Sequence, residues 1–161
     1  MDEILEILEK DCRLSNEDIA RMLKKKPQDI KKAIQKYEKE GAILKYKAVI
    51  NKELIKDGER DVRALIEVNI VPQKDVGFDR IAERIYSFPE VSSCYLISGT
   101  YDLLLIVEGK DIHAVSRFVA EKLAPSENVR GTVTHFLLRK YKEDGVILKH
   151  RKENERIAIS Y

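Results

Sequence analysis

The chain has 161 residues, 43% apolar and 36% charged, and its 30 Lys and Arg nearly balance 28 Asp and Glu, leaving a net charge of +2. This is a foldable composition with room for one ordinary domain or two small ones, and no apolar run approaches the roughly 20 residues needed to cross a bilayer. The acidic, amphipathic start Met1-Asp-Glu-Ile-Leu-Glu6 is unlike a signal or transit peptide, and Cys12 and Cys94 fit no metal or redox spacing, so a reduced, cytoplasmic chain is expected.

The charge is unevenly placed. Residues 1–20 carry two bases against seven acids, whereas residues 21–47 carry ten bases against three acids. A basic block inside a nearly neutral chain is the footprint left where one face meets phosphate, although a solvated Lys/Glu helix has the same composition. The first predicted helix has its apolar stripe at Ile4, Leu5, Ile7 and Leu8. The second opens at Ser15 with Asp18 three residues on, a capping-box-like start, and continues through Ile19, Ala20, Met22 and Leu23. Lys24-Lys25-Lys26 breaks the pattern. Pro27 suits the first turn of a third helix, which turns Ile30, Ile34 and Tyr37 inward and stops at Gly41.

Helices two and three, separated by this short break, have the proportions of a helix-turn-helix. The outer face of the third carries Gln28, Lys31, Lys32, Gln35 and Lys39, long cationic or amide side chains able to reach phosphates and base edges in a major groove. The segment Ile43–Ile50 alternates loosely and reads as a strand leaving this unit.

From Val62 the period changes to two. Val62, Ala64, Ile66, Val68 and Ile70 mark a half-buried strand that ends before Pro72, with Leu65 the exception to the alternation. A helical stripe at Phe78, Ile81, Ala82 and Ile85 follows, then a strand from Val91 to Ile97. Ser98-Gly99-Thr100 makes a tight connection to a third strand, Tyr101 to Val107, whose unbroken apolar run suits an interior strand covered on both faces. A second helical stripe at Ile112, Val115, Phe118, Val119 and Leu123 precedes a fourth strand from Val129 to Leu138. The order β-α-β-β-α-β is the ferredoxin-like arrangement. Two helices cover one face of such a sheet, so its partly apolar other face is expected to meet another subunit. The fold class is α+β, with a helix-turn-helix domain at 1–50, a linker at 51–61, a ferredoxin-like domain at 62–142 and an extension at 143–161. In that extension Val146-Ile-Leu148 and Ile157-Ala-Ile159 can pair as a hairpin.

The whole of residues 1–142 resembles the Lrp/AsnC (leucine-responsive, feast/famine) family of transcription regulators. The resemblance rests on Leu14-Ser15-Asn16, on Ile34-x-x-Tyr37-Glu38-x-x-Gly41-Ala42-Ile43, on Val91 before the second strand, and on Gly99-Thr-Tyr-Asp102 ahead of the apolar third strand. It implies a transcriptional regulator that binds double-stranded DNA through Lys24, Lys25, Lys26, Gln28, Lys31, Lys32 and Gln35. It also implies a homodimer joined through the sheet, often assembled further, and a small effector such as an amino acid near Ser98, Gly99, Thr100, Tyr101 and Asp102. Backbone N–H groups near Gly99 suit a carboxylate and Asp102 suits an ammonium. The plainer reading of the turn is a positive-φ glycine with Asp102 capping a loop. Two departures stand out: Lys24-Lys25-Lys26 replaces the family's usual Gly-Leu-Ser, removing the serine cap of the third helix, and Ala33 stands where an Arg is common.

No phosphate loop, metal-ligand spacing or catalytic constellation is visible, so no metal, cofactor or catalytic residue is expected. His113 and His135 read as surface or packing residues, and His150 falls in a basic tail stretch. Two alternatives remain: an enzyme on the same architecture, as in sirohaem decarboxylases, and an oligomeric metabolite-binding module that does not touch DNA. The outward cations of the third helix favour the regulator.

Overall fold

The first helix begins where Asp2 accepts the backbone N–H of Ile4 at 2.8 Å, and that bond, followed by the Tyr37 hydroxyl, holds the Asp2 carboxyl below its ordinary range. The computed structural model describes residues 2–55, 61–71 and 77–148. The chain divides into two units, Met1–Ile50 and Asn51–Tyr161. The first holds α1 (Glu3–Lys10), α2 (Asn16–Leu23) and α3 (Pro27–Lys39). Their core is Ile4, Leu8, Ile19, Ala20 and Ile30, with Ile7, Leu14, Leu23, Ala33, Ile34 and Ile43 packed against it. Met22, placed by sequence in the α2 run, is 60% exposed.

The caps follow the residues that need them. Ser15 Oγ accepts the N–H of Asp18 at 3.1 Å and donates to its carboxylate at 2.6 Å. At the end of α3, Gly41 is left-handed (φ 74°), and Ala42 N–H and Gly41 N–H bond back to Tyr37 O and Glu38 O. This is a Schellman stop of the kind that favours glycine. The strand expected over Ile43–Ile50 is not formed: the segment pairs with no strand among the described residues, and Leu44 is 88% exposed. Loose alternation supplies a strand's side chains but no neighbouring backbone to bond. Tyr46 ties the segment back to α3 through Glu38, at 3.0 Å.

After a 3₁₀ turn at Lys52–Leu54, the second unit runs β1 (Val62–Ile70), α4 (Phe78–Tyr86), β2 (Val91–Leu96), β3 (Leu103–Gly109), α5 (Ile112–Phe118) and β4 (Val129–Phe136). The sheet order is β2-β3-β1-β4 with every neighbouring pair antiparallel. This is the ferredoxin-like order. Its helix-side core is Ala64, Ile66, Val68 and Ile70 from β1, Leu103, Leu105 and Val107 from β3, and Ile81, Ile85, Val115, Phe118 and Leu123 from the helical segments. The alternate positions form a second face on which register aligns Tyr95, Leu104, Glu67 and Val133 in one row and Ser93, Ile106, Leu65 and His135 in the next. Within this chain α4 and α5 cover one face only: Leu103, Leu105 and Val107 are buried beneath them, whereas Leu104 and Ile106 on the other face are half-buried, so the cover expected on both faces of β3 is not supplied by the described residues.

Two local details depart from the sequence pattern. The second helical stripe is not one α-helix: at Val119–Leu123 the chain winds as a π turn, closed by Ala124 N–H on Val119 O at 2.8 Å, and Ile112 is exposed. The tail hairpin pairs β5 (Lys142–Glu143) with β6 (Val146–Ile147) through Asp144-Gly145, both with positive φ (45° and 79°) as a type I′ turn requires. The expected partner Ile157-Ala-Ile159 and His150 lie outside the described residues.

Candidate nucleic-acid interface and effector turn

The basic block resolves into a turn and a helix face. α2 ends with Lys24 N–H and Lys25 N–H bonded back to Arg21 O and Ala20 O, which forces Lys24 into the left-handed region at φ 53°. That position normally takes glycine, and a β-carbon there is strained. Lys25 and Lys26 complete the exposed connection. Lys26 precedes α3 without any side-chain cap, and Pro27 occupies the first turn.

Along α3, Ile30 is fully buried while Gln28, Lys31, Lys32, Gln35 and Lys39 are exposed. Lys36 pairs with Glu40 at 3.9 Å and Arg21 with Asp18. Lys24, Lys26, Lys31 and Lys32 have no ion pair to another described residue, so their charge is available to an outside anion. The acids of α3 are partly occupied: Glu38 accepts from Tyr46, and Glu40 sits beside Lys36. Ala33 packs against the bundle core, so an Arg at this position would not simply add an outward cation.

The second candidate site is the turn between β2 and β3. Ser98, Gly99 and Thr100 are exposed, and Tyr101 and Asp102 are half-buried. Ile97 N–H bonds to Asp102 O at 2.8 Å, closing the turn. Asp102 is engaged at both ends: its Oδ2 accepts Ile70 N–H at 2.7 Å, and its own N–H donates to Val68 O at 3.0 Å. The N–H groups of Ser98, Gly99, Thr100 and Tyr101 bond to no described residue and remain for an acceptor from outside. Gly99 is not left-handed, and a β-carbon on it would meet only Ile97 Cγ2 at 3.6 Å. The positive-φ reading of this glycine is therefore overturned, because the turn closes through the Ile97–Asp102 bond instead.

Sequence spacing could not reveal one further cluster. Arg63 donates to Glu108 through Nε (2.9 Å) and Nη2, and to Glu143 through Nη1 at 2.9 Å, and Lys140 joins Glu143 at 2.7 Å. It fastens the terminal hairpin to the sheet. His135 meets Glu67 at 3.1 Å on the uncovered sheet face, and His113 is exposed on α5. No group of three or more His, Cys, Asp or Glu among the described residues is placed to hold a metal ion, and no helix there is long and apolar enough to cross a membrane.

Comparison with known proteins matches each of the two units to a described domain. Residues 63–147 match the Lrp/AsnC ligand-binding domain and residues 3–43 a winged helix-turn-helix DNA-binding domain. An uncharacterized HTH-type transcriptional regulator of Bacillus subtilis, YugG, is 44% identical over 158 residues, 98% of this chain and 95% of the relative. A transcriptional regulator of Neisseria meningitidis, solved in complex with L-methionine, superposes with a TM-score of 0.68 at 27% identity over 89% of this chain and 93% of the other. AsnC of Escherichia coli has the same fold (TM-score 0.66, 21% identity, 87% of this chain and 91% of the other).

Proposed function

The chain belongs to the Lrp/AsnC family of transcriptional regulators, and from that membership we propose how its own residues do the work of a DNA-binding regulator with a ligand-binding domain. α3 enters the major groove with Gln28 and Gln35 toward base edges, Lys31 and Lys32 toward phosphates, and Lys24, Lys25 and Lys26 on the backbone beside it. One contrast carries this reading: Ile30 is fully buried, whereas Lys31 and Lys32, the next two residues, are exposed and unpaired. Amphipathicity alone explains the buried side; the unneutralised cations ask for a polyanion.

A second copy covers the uncovered sheet face. Leu65, Leu104, Ile106, Val133 and Tyr95 support this, since apolar side chains aligned across four strands gain from leaving water. A dimer then presents two α3 helices to half-sites about 34 Å apart, or a multiple of that spacing. The turn at Ser98–Asp102 binds the effector. Its free N–H groups suit a carboxylate, and the L-methionine held by the Neisseria meningitidis relative supports an amino acid as the class. The effector changes the assembly to the extent that it binds one state better than another. The protein works in the cytoplasm, where its DNA is.

Mobility shift on fragmented genomic DNA tests the first part. Binding at low salt that weakens steeply at high salt, with a subset of fragments retained, is the expected result; no shift at low salt overturns it. Light scattering with a panel of amino acids tests the second part. A changed mass with at least one of them is expected, and unchanged mass with no heat of binding for any of them removes the effector reading.

A further inference from the structure

Each residue of α3 advances the helix by about 100° around its axis and about 1.5 Å along it. Gln28 and Gln35, seven residues apart, therefore stand within about 20° of one another and about 10.5 Å apart along the helix. Lys31 and Lys32 fall between them and straddle their line, each about 50° to one side. Ile30, fully buried in the bundle, lies on the far side of the helix.

The pairing of these side chains follows the same arc. Gln28, Lys31, Lys32 and Gln35 are exposed and make no hydrogen bond or ion pair to another described residue. The next charges round the helix on either side are engaged within the unit: Lys36 pairs with Glu40 at 3.9 Å, and Glu38 accepts from Tyr46 at 3.0 Å. What stays open is a narrow strip with two amides along its middle and one cation on each flank.

That is the layout of a helix seated in a major groove, where the middle of the strip meets base edges and its flanks meet the phosphates of the two walls. A glutamine amide presents an acceptor and a donor side by side. On the groove edge only adenine offers the matching pair, an N6–H donor next to the N7 acceptor; guanine shows two acceptors, and cytosine and thymine a single polar group each. A separation of about 10.5 Å is three base steps of about 3.4 Å, or two where the helix follows the slant of the groove.

We propose that Gln28 and Gln35 are the specificity-determining pair of α3, each holding one adenine. The half-site then carries two adenines two or three base steps apart, with Lys31 and Lys32 on phosphates of opposite strands. The inference rests on the reading of α3 as the helix that enters DNA, and adds what it reads there.

Selection by the full chain from a library of randomised duplexes at low salt, followed by anisotropy on the selected duplex, tests it. The enriched half-site carries two adenines at the stated spacing. Gln28→Ala and Gln35→Ala each relax one adenine and keep the other, weaken binding to the selected duplex about tenfold, and leave the slope against salt unchanged. Replacing either adenine by 7-deazaadenine, which lacks the N7 acceptor, weakens the parent chain but not the variant without the facing glutamine. Lys31→Ala and Lys32→Ala lower affinity for all sequences alike and keep both adenines. Enriched duplexes without the adenine pair, or a pair kept by both glutamine variants, overturn this inference and leave the DNA-contact reading standing. Absence of any bound duplex overturns that reading and this inference with it.

Discussion

Asp102 and Ile70 are joined across the sheet: Asp102 Oδ2 accepts the Ile70 N–H at 2.7 Å, so the turn after β2 is fastened to the end of the central strand by a side chain 32 residues away. Asp102→Ala leaves that N–H without its acceptor and lowers stability by about 1–3 kcal/mol, whereas Asp102→Asn, which retains an oxygen, has a smaller effect. Urea unfolding reads the difference as a lower midpoint at unchanged m.

Lys31→Ala with Lys32→Ala removes two unpaired cations from α3. The double variant binds DNA more weakly, and the slope of log K against log salt becomes shallower by about one to two units, each phosphate contact contributing roughly 0.9. Fluorescence anisotropy across a salt series measures it. An unchanged slope takes this face off the DNA.

Lys24→Gly has opposite effects on the two properties of the first unit. Relieving the left-handed lysine at φ 53° raises stability by about 1 kcal/mol. Losing the ammonium weakens DNA binding and reduces the salt slope by roughly 0.9. Thermal unfolding and anisotropy on the same sample separate the gain from the loss.

Glu143 couples the terminal hairpin to pH. Lys140 and then Arg63 hold its carboxyl below the ordinary glutamate range, with burial opposing them. A depressed folded value means that the stabilisation is complete above the ordinary range and disappears as pH falls through the folded value. Glu143→Gln therefore costs about 1 kcal/mol at neutral pH, and the two proteins converge once acid has protonated the native carboxyl. Denaturation midpoints taken from neutral pH into the acid range check the convergence.

Local signals in the chain specified most of the architecture. Ser15 and Asp18, Pro27 and Gly41 punctuate the three helices through bonds to near neighbours, and such bonds leave a readable spacing. The change of period at Val62 and the order of the later elements identified the ferredoxin-like sheet. Long-range bonds escaped: Asp102 to Ile70 and Arg63 to Glu108 and Glu143 join residues 32, 45 and 80 positions apart, and no periodicity encodes them. The segment Ile43–Ile50 looked like a strand because alternation reports side chains and not the presence of a partner. The β5–β6 hairpin is encoded locally by the turn dipeptide Asp144-Gly145 and not by the more distant apolar run at Ile157-Ala-Ile159.

The buried residues of the helical bundle and those of the sheet form separate sets with no member in common. Evolution can therefore revise the two inventories independently. Under the proposed function, changes on the exposed side of residues 24–39 re-address an existing sensor to new promoters, and changes around the sheet give an existing reading head a new stimulus. Neither revision requires compensating changes in the other set of buried residues.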